Sequence, residues 1–125
     1  MRGKRLLIVE DDADVRRFYR TILAMAGYDI EEASDGVEAL RLIENNVPDL
    51  IVLDLMLRSL DGVSVQQELA AGPLTARIPI VIVTGSTIDT TILNVACVLH
   101  KPVTPDELVN TVKQCMATAA PAAGA

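Results

Sequence analysis

Four short runs in this chain are almost wholly apolar and rich in β-branched residues: Leu6-Leu7-Ile8-Val9, Leu50-Ile51-Val52-Leu53, Ile80-Val81-Ile82-Val83 and residues 95–99. A strand covered on one face alternates apolar with polar residues, whereas one covered on both faces is apolar throughout. These runs therefore predict the interior of a parallel sheet. A fifth run, residues 29–33 after Gly27-Tyr28, carries charge and belongs nearer a sheet edge. Between the runs, apolar residues fall at helical spacing. Val15, Phe18, Tyr19, Ile22 and Ala26 make one stripe that stops at Gly27, a C′ residue. Ser34 or Asp35 caps a second helix burying Val37, Leu40 and Ile43. Thr104-Pro105-Asp106-Glu107 combines an N-cap threonine, an N1 proline and an N3 glutamate, and opens a last helix whose buried stripe is Leu108, Val112 and Cys115.

Strand–helix alternation along a whole chain means right-handed βαβ crossovers. The expected fold is α/β, a doubly wound five-stranded parallel sheet with helices on both faces. A chain of 125 residues has room for one core, so residues 1–118 are read as the domain. Residues 119–125, alanine-rich with Pro121 and Gly124, are read as a flexible tail or the start of a linker. Seventeen acidic side chains against eleven basic ones give a formal charge of −6, which argues against direct contact with nucleic acid or an anionic membrane. No apolar run approaches the ~18 residues of a membrane span. Cys97 and Cys115 lack CxxC spacing and read as reduced core thiols, as expected of a cytoplasmic protein.

The residues just after each run carry the chemistry. The first strand ends in Glu10-Asp11-Asp12, the third in Asp54, the fourth in Thr84-Gly85-Ser86 and the fifth in His100-Lys101-Pro102. In a parallel sheet these ends meet at one edge, where such folds place their sites. Crowded carboxylates repel, and the relief is a raised pKa or a bound divalent cation. An all-oxygen donor set suits Mg²⁺. Asp54 then has the surroundings of a nucleophile toward a phosphoryl group, with Lys101 as cation and Thr84 as donor. Asp12 reads as a helix cap rather than a ligand, Asp61-Gly62 as a turn before the third helix, and His100 as structural. Phe18 and Tyr19 read as helix packing.

Four motifs in order, Ile8-Val9-Glu10-Asp11-Asp12, Leu53-Asp54-Leu55-Met56-Leu57 with Asp61-Gly62, Val83-Thr84-Gly85, and Lys101-Pro102, make residues 4–117 resemble the receiver domain of two-component response regulators, chemotaxis response regulators included. The resemblance implies a flavodoxin-like receiver fold that accepts a phosphoryl group from a sensor histidine kinase or phosphotransfer protein and switches conformation to control a partner or a fused effector. It implies no enzyme activity beyond self-catalysed phosphoryl transfer and autodephosphorylation. It makes Asp54 the phosphoacceptor. Mg²⁺ would be held by Asp11 directly, by Glu10 through water and by the Met56 backbone carbonyl, with Asp54 also in the metal set. Thr84 and Lys101 would bind phosphoryl oxygens, Gly85, Val98 and Pro102 would hold structural or switch positions, and Met56 and Ser86 would tune the phosphoryl lifetime. The bond before Pro102 would be cis. A weak homodimer is compatible with the family analogy.

Three departures from the family pattern stand out. Arg58 replaces a common proline, and Val98 replaces the usual switch aromatic three residues before the lysine. If strand five spans residues 95–99, only 86–94 remain for the fourth crossover, which includes Thr87, Thr90 and Thr91. A crossover takes at least ~10–12 residues, so a shortened or irregular fourth helix is expected, with a signalling path other than threonine-to-aromatic coupling. These departures motivate an alternative, a receiver-fold interaction module indifferent to phosphorylation. Enzymes on similar sheets fit less well: a haloacid-dehalogenase-type phosphatase wants a second aspartate where Met56 stands, and the acidic triplet would repel a flavin phosphate.

Overall fold

The computed structural model describes residues 3–57, 62–85 and 97–119. The elements run β1 (Arg5–Val9), α1 (Ala13–Met25), β2 (Asp29–Ala33), α2 (Gly36–Asn45), β3 (Leu50–Asp54), α3 (Gly62–Ala71), a 3₁₀ turn (Thr75–Arg77), β4 (Ile80–Thr84), β5 (Cys97–His100) and α4 (Pro105–Ala119). All strand pairings are parallel, and the sheet order is β2-β1-β3-β4-β5. This is the doubly wound, flavodoxin-like architecture, with the charged strand β2 at one edge. Among the described residues no helix is long and apolar enough to cross a membrane.

Alternation along each strand divides the core into two layers. Leu7, Val9, Ile51, Leu53 and Ile82 face α2 and α3, and Leu6, Ile8, Val52, Val81, Val83 and Leu99 face α1 and α4. Every residue of β3 and β4 is buried, as runs apolar on both faces require. In α4, Leu108, Val112 and Cys115 are all buried, as the helical spacing predicts. Cys97 and Cys115 are free thiols on the α1/α4 side, and burial with the neighbouring Cys97 pushes the Cys115 thiol up to about 12.

Two helices are rotated from the expected faces. In α1 the buried residues are Tyr19 and Leu23, while Phe18 is 44% exposed and Ala26 is also exposed. Phe18 sits about 100° of helical rotation from Tyr19, far enough to leave the face that meets the sheet. In α2 the buried positions are Gly36, Ala39 and Ile43, and Val37 is 59% exposed. Small residues there let the helix lie close to the sheet, and the stripe centres one side of where Val37 would put it. Caps behave as expected: the Asp12 carboxylate accepts from the amides of Asp14 and Val15, and Asp35 caps α2. Gly27 ends α1 with φ of 101°, a conformation that favours glycine. The described part of β5 starts at Cys97 and extends through His100, one residue beyond the expected end. The expectations for Arg58, Asp61, Ser86, residues 95–96, the fourth crossover and the tail from residue 120 fall outside the described residues.

Candidate functional site

The chain leaves β1 to build β2 on one side and returns to build β3 on the other, so the β1/β3 boundary is the topological switch point where such sheets open a crevice. Val9 is level with Leu53, which places Glu10 level with Asp54. Both continue the row that faces α1 and α4, as does Lys101 two residues beyond Leu99. Register thus brings three charged side chains separated by up to 91 residues to one spot.

There Lys101 Nζ donates to Glu10 Oε1 and to Asp54 Oδ2, each at 3.1 Å. The Met56 amide donates to Asp54 Oδ1 at 2.9 Å, and the Asp12 amide to Glu10 Oε2 at 3.1 Å. Both carboxylates are nearly inaccessible, at 1% for Glu10 and 2% for Asp54, so the ammonium and amides replace their water. Carboxylate oxygens of Glu10, Asp11 and Asp54 lie within 4.8 Å of one another. This all-oxygen set fits a hard divalent cation of the Mg²⁺ class. Thr84 is fully buried at the end of β4, and its carbonyl accepts from the Lys101 amide at 2.9 Å, tying the lysine loop to β4. The Lys101–Pro102 bond is cis. Gly85 lies under the Lys101 side chain, and Val98, level with Ile82, packs partly buried against the α2/α3 layer. Met56 is exposed and Asp11 half-buried at the mouth.

Burial pushes the Glu10 carboxyl up from 4.5 to about 7; the Asp12 amide opposes this, the Asp54 charge adds to it, and Lys101 opposes it. Burial would lower the Lys101 ammonium, but its hydrogen bonds and charge pairing with Asp54 and Glu10 outweigh that and raise it. Burial also raises the Tyr19 phenol, Lys101 pulling it down and Glu10 and Asp54 pushing it up, which places the α1 aromatic within the field of the site. A carboxyl whose pKa is raised by folding binds more protons in the folded state between the two values. Metal-free protein is therefore expected to lose stability as pH rises from 4.5 through about 7. Urea unfolding in chelator at pH 5 and pH 8 checks it: the midpoint falls toward pH 8, and Glu10→Gln flattens the difference. An equal pH dependence in both proteins would contradict the assignment.

Two main-chain contacts add to the site beyond what the motifs state. Gly62, expected to be part of a turn, begins α3 against the main chain of β3: its amide donates to the Leu55 carbonyl at 3.0 Å, and a Cβ there would collide with the Asp54 carbonyl and Leu55 Cα. Arg16 reaches from α1 to the Glu10 carbonyl at 2.8 Å, a contact no local signal announces.

A model of the response regulator receiver domain matches residues 6–113. The response regulator MprA of Mycobacterium sp. (strain KMS) is 52% identical over 65 residues, which are 52% of this chain and 28% of that protein. The phosphate regulon transcriptional regulatory protein PhoB of Pseudomonas aeruginosa is 34% identical over 126 residues, covering 97% of this chain and 55% of that protein. The chain thus spans well under two thirds of the length of these relatives. Among solved structures, a CheY-like response regulator receiver domain protein from Methanospirillum hungatei superposes with a TM-score of 0.87 at 26% identity, over 94% of this chain and 96% of that one.

Proposed function

The chain belongs to the response regulator receiver domain family, whose members are signalling domains of two-component systems rather than enzymes in the ordinary sense, and from that premise we propose that it is a phosphorylation switch with Asp54 as the acceptor. The observation that carries this reading is the Lys101 ammonium paired with the two buried carboxylates of Glu10 and Asp54 at the β1/β3 switch point. An Asp54 carboxylate oxygen attacks the phosphorus of a phosphohistidine on a histidine kinase or phosphotransfer protein. The P–N bond breaks with its electron pair going to nitrogen, the imidazole leaves as the neutral ring because its other nitrogen already carries a proton in the phosphohistidine that is attacked, and an aspartyl phosphate remains. Lys101, which holds Asp54 Oδ2 in the resting site, turns to a phosphoryl oxygen as charge builds there, and Thr84 donates to another. Glu10, Asp11, Asp54 and the Met56 carbonyl are the residues that would hold Mg²⁺. When bound, the ion supplies neutralisation of the phosphoryl oxygens.

Gly85 lies beside the Lys101 side chain, and Pro102 follows the lysine through the cis bond. Met56, and Ser86 by family analogy, set access of water to the aspartyl phosphate and hence its lifetime. With Val98 in place of a ring, no aromatic rotamer couples to Thr84, and the conformational response runs through backbone such as the Lys101 amide to Thr84 carbonyl bond. The domain comprises residues 1–118 and works in the cytoplasm, controlling a separate partner or a fused effector. The relatives named as transcriptional regulators extend well beyond the matched segment, and this acidic segment makes no direct nucleic-acid contact in the proposed role.

Incubation with acetyl phosphate, followed by intact-mass spectrometry, tests the reading. The expected result is a Mg²⁺-dependent gain of one phosphoryl group that chelator abolishes. No gain in protein shown separately to bind Mg²⁺ would overturn the switch and leave a phosphorylation-independent interaction module.

A further inference from the structure

Glu10 is held at every polar position. Its amide donates to the Ala33 carbonyl at the end of β2, its carboxylate oxygens take Lys101 and the Asp12 amide, and its carbonyl accepts from Arg16 Nη1 at 2.8 Å. The same guanidinium is anchored through Nε to Glu32 Oε1 at 3.1 Å, on β2 next to Ala33, and Arg20 Nη1 holds the other Glu32 oxygen at 2.8 Å. The Arg16 and Glu32 side chains are only 20% and 27% exposed, so the fork is partly shielded from competing water. The acceptor matters: the Glu10 carbonyl belongs to the peptide that joins Glu10 to Asp11, and its plane sets the direction in which both residues leave the strand.

We propose that Arg16 is a positioning residue, fixing the Glu10–Asp11 peptide plane so that both carboxylates are ordered for a divalent cation before it arrives. This rests on the proposed function, in which these carboxylates hold Mg²⁺. The planar fork of arginine serves both anchors at once, whereas a lysine ammonium on its flexible stem does not reproduce that geometry. Residues that orient metal ligands from behind commonly change metal affinity by ~10–100-fold when removed. Electrostatics alone predicts the opposite sign. Deleting a cation near an acidic cluster strengthens Mg²⁺ binding, so the direction of the change separates positioning from charge.

Isothermal titration of Mg²⁺ into the full chain at pH 8 and fixed ionic strength, with urea unfolding alongside, decides it. Wild type is expected to bind, Arg16→Ala to bind about tenfold more weakly, and Arg16→Lys to fall between. Wild type failing to bind overturns the reading of the metal site itself. Wild type binding with Arg16→Ala unchanged or tighter overturns the positioning role and leaves Arg16 a structural tie between α1 and β2, even if the urea midpoint drops. If Arg16→Ala does not fold, Arg16→Lys carries the test: weaker binding supports the role, and unchanged or tighter binding refutes it.

Discussion

Replacing Lys101 with alanine is expected to slow phosphoryl transfer from acetyl phosphate by about 100-fold, the scale on which losing one preorganised donor to developing charge acts. In the resting site the ammonium touches both buried acids at 3.1 Å, so its loss has a second consequence that the rate does not report. Glu10 and Asp54 are left as adjacent carboxylates with little access to water, and the pair takes up a proton at neutral pH. Metal-free Lys101→Ala is therefore expected to be destabilised by roughly 2 kcal/mol at pH 8, a figure kept below that for a fully buried pair because the lysine side chain is 32% exposed. The loss shrinks as pH falls and the acids protonate. Intact-mass time courses and urea unfolding at pH 6 and 8 measure the two effects. A variant that is phosphorylated at the wild-type rate would remove Lys101 from the chemistry, and a pH-independent stability loss would remove it from the charge balance.

Gly62→Ala is expected to be as damaging although it touches no charge. A Cβ at this position meets the Asp54 carbonyl and Leu55 Cα, which are main-chain atoms of β3 and the residue after it and cannot rotate away. Either α3 retreats, breaking the 3.0 Å bond from the Gly62 amide to the Leu55 carbonyl, or the end of β3 shifts and carries Asp54 with it. Overpacking of this kind costs about 3 kcal/mol, which in a domain of this size lowers the melting temperature by ~10 °C. Because the displaced atoms belong to Asp54, phosphoryl transfer falls in the same variant even well below its melting temperature. Thermal unfolding and the acetyl phosphate assay at low temperature check both halves. An alanine variant with wild-type stability would mean that the close approach of α3 to β3 is not required.

Much of this architecture is readable in the chain. Apolar runs covered on both faces force a parallel sheet, and the charge in Asp29–Ala33 sends that strand to the edge where it lies. The residues after each run then gather wherever the sheet brings the strand ends, so Glu10, Asp54, Thr84 and Lys101 meet because β1, β3, β4 and β5 are neighbours. Periodicity finds the helices but not their rotation. Phe18 and Val37 lie at the margins of their stripes, and whether a marginal residue is buried depends on how closely the helix approaches the sheet, which Ala39 and Gly36 decide in α2. Contacts to the main chain are the least legible. Arg16 meets the Glu10 carbonyl, an atom that every residue has, so side-chain chemistry leaves no trace of that contact, whereas Gly62 is visible in the chain as the Asp61-Gly62 turn without showing which main-chain atoms it must pass.

The most direct test of the proposed switch is whether Asp54, and no neighbouring acid, carries the phosphoryl group. Acyl phosphates are reduced by borohydride to the alcohol, so treating phosphorylated protein with borohydride and mapping its peptides by mass spectrometry marks the acceptor as homoserine. Homoserine is expected at residue 54 alone, dependent on Mg²⁺ and absent from Asp54→Ala. A reduced side chain at residue 10 or 11, or labelling that persists in Asp54→Ala, would contradict that assignment.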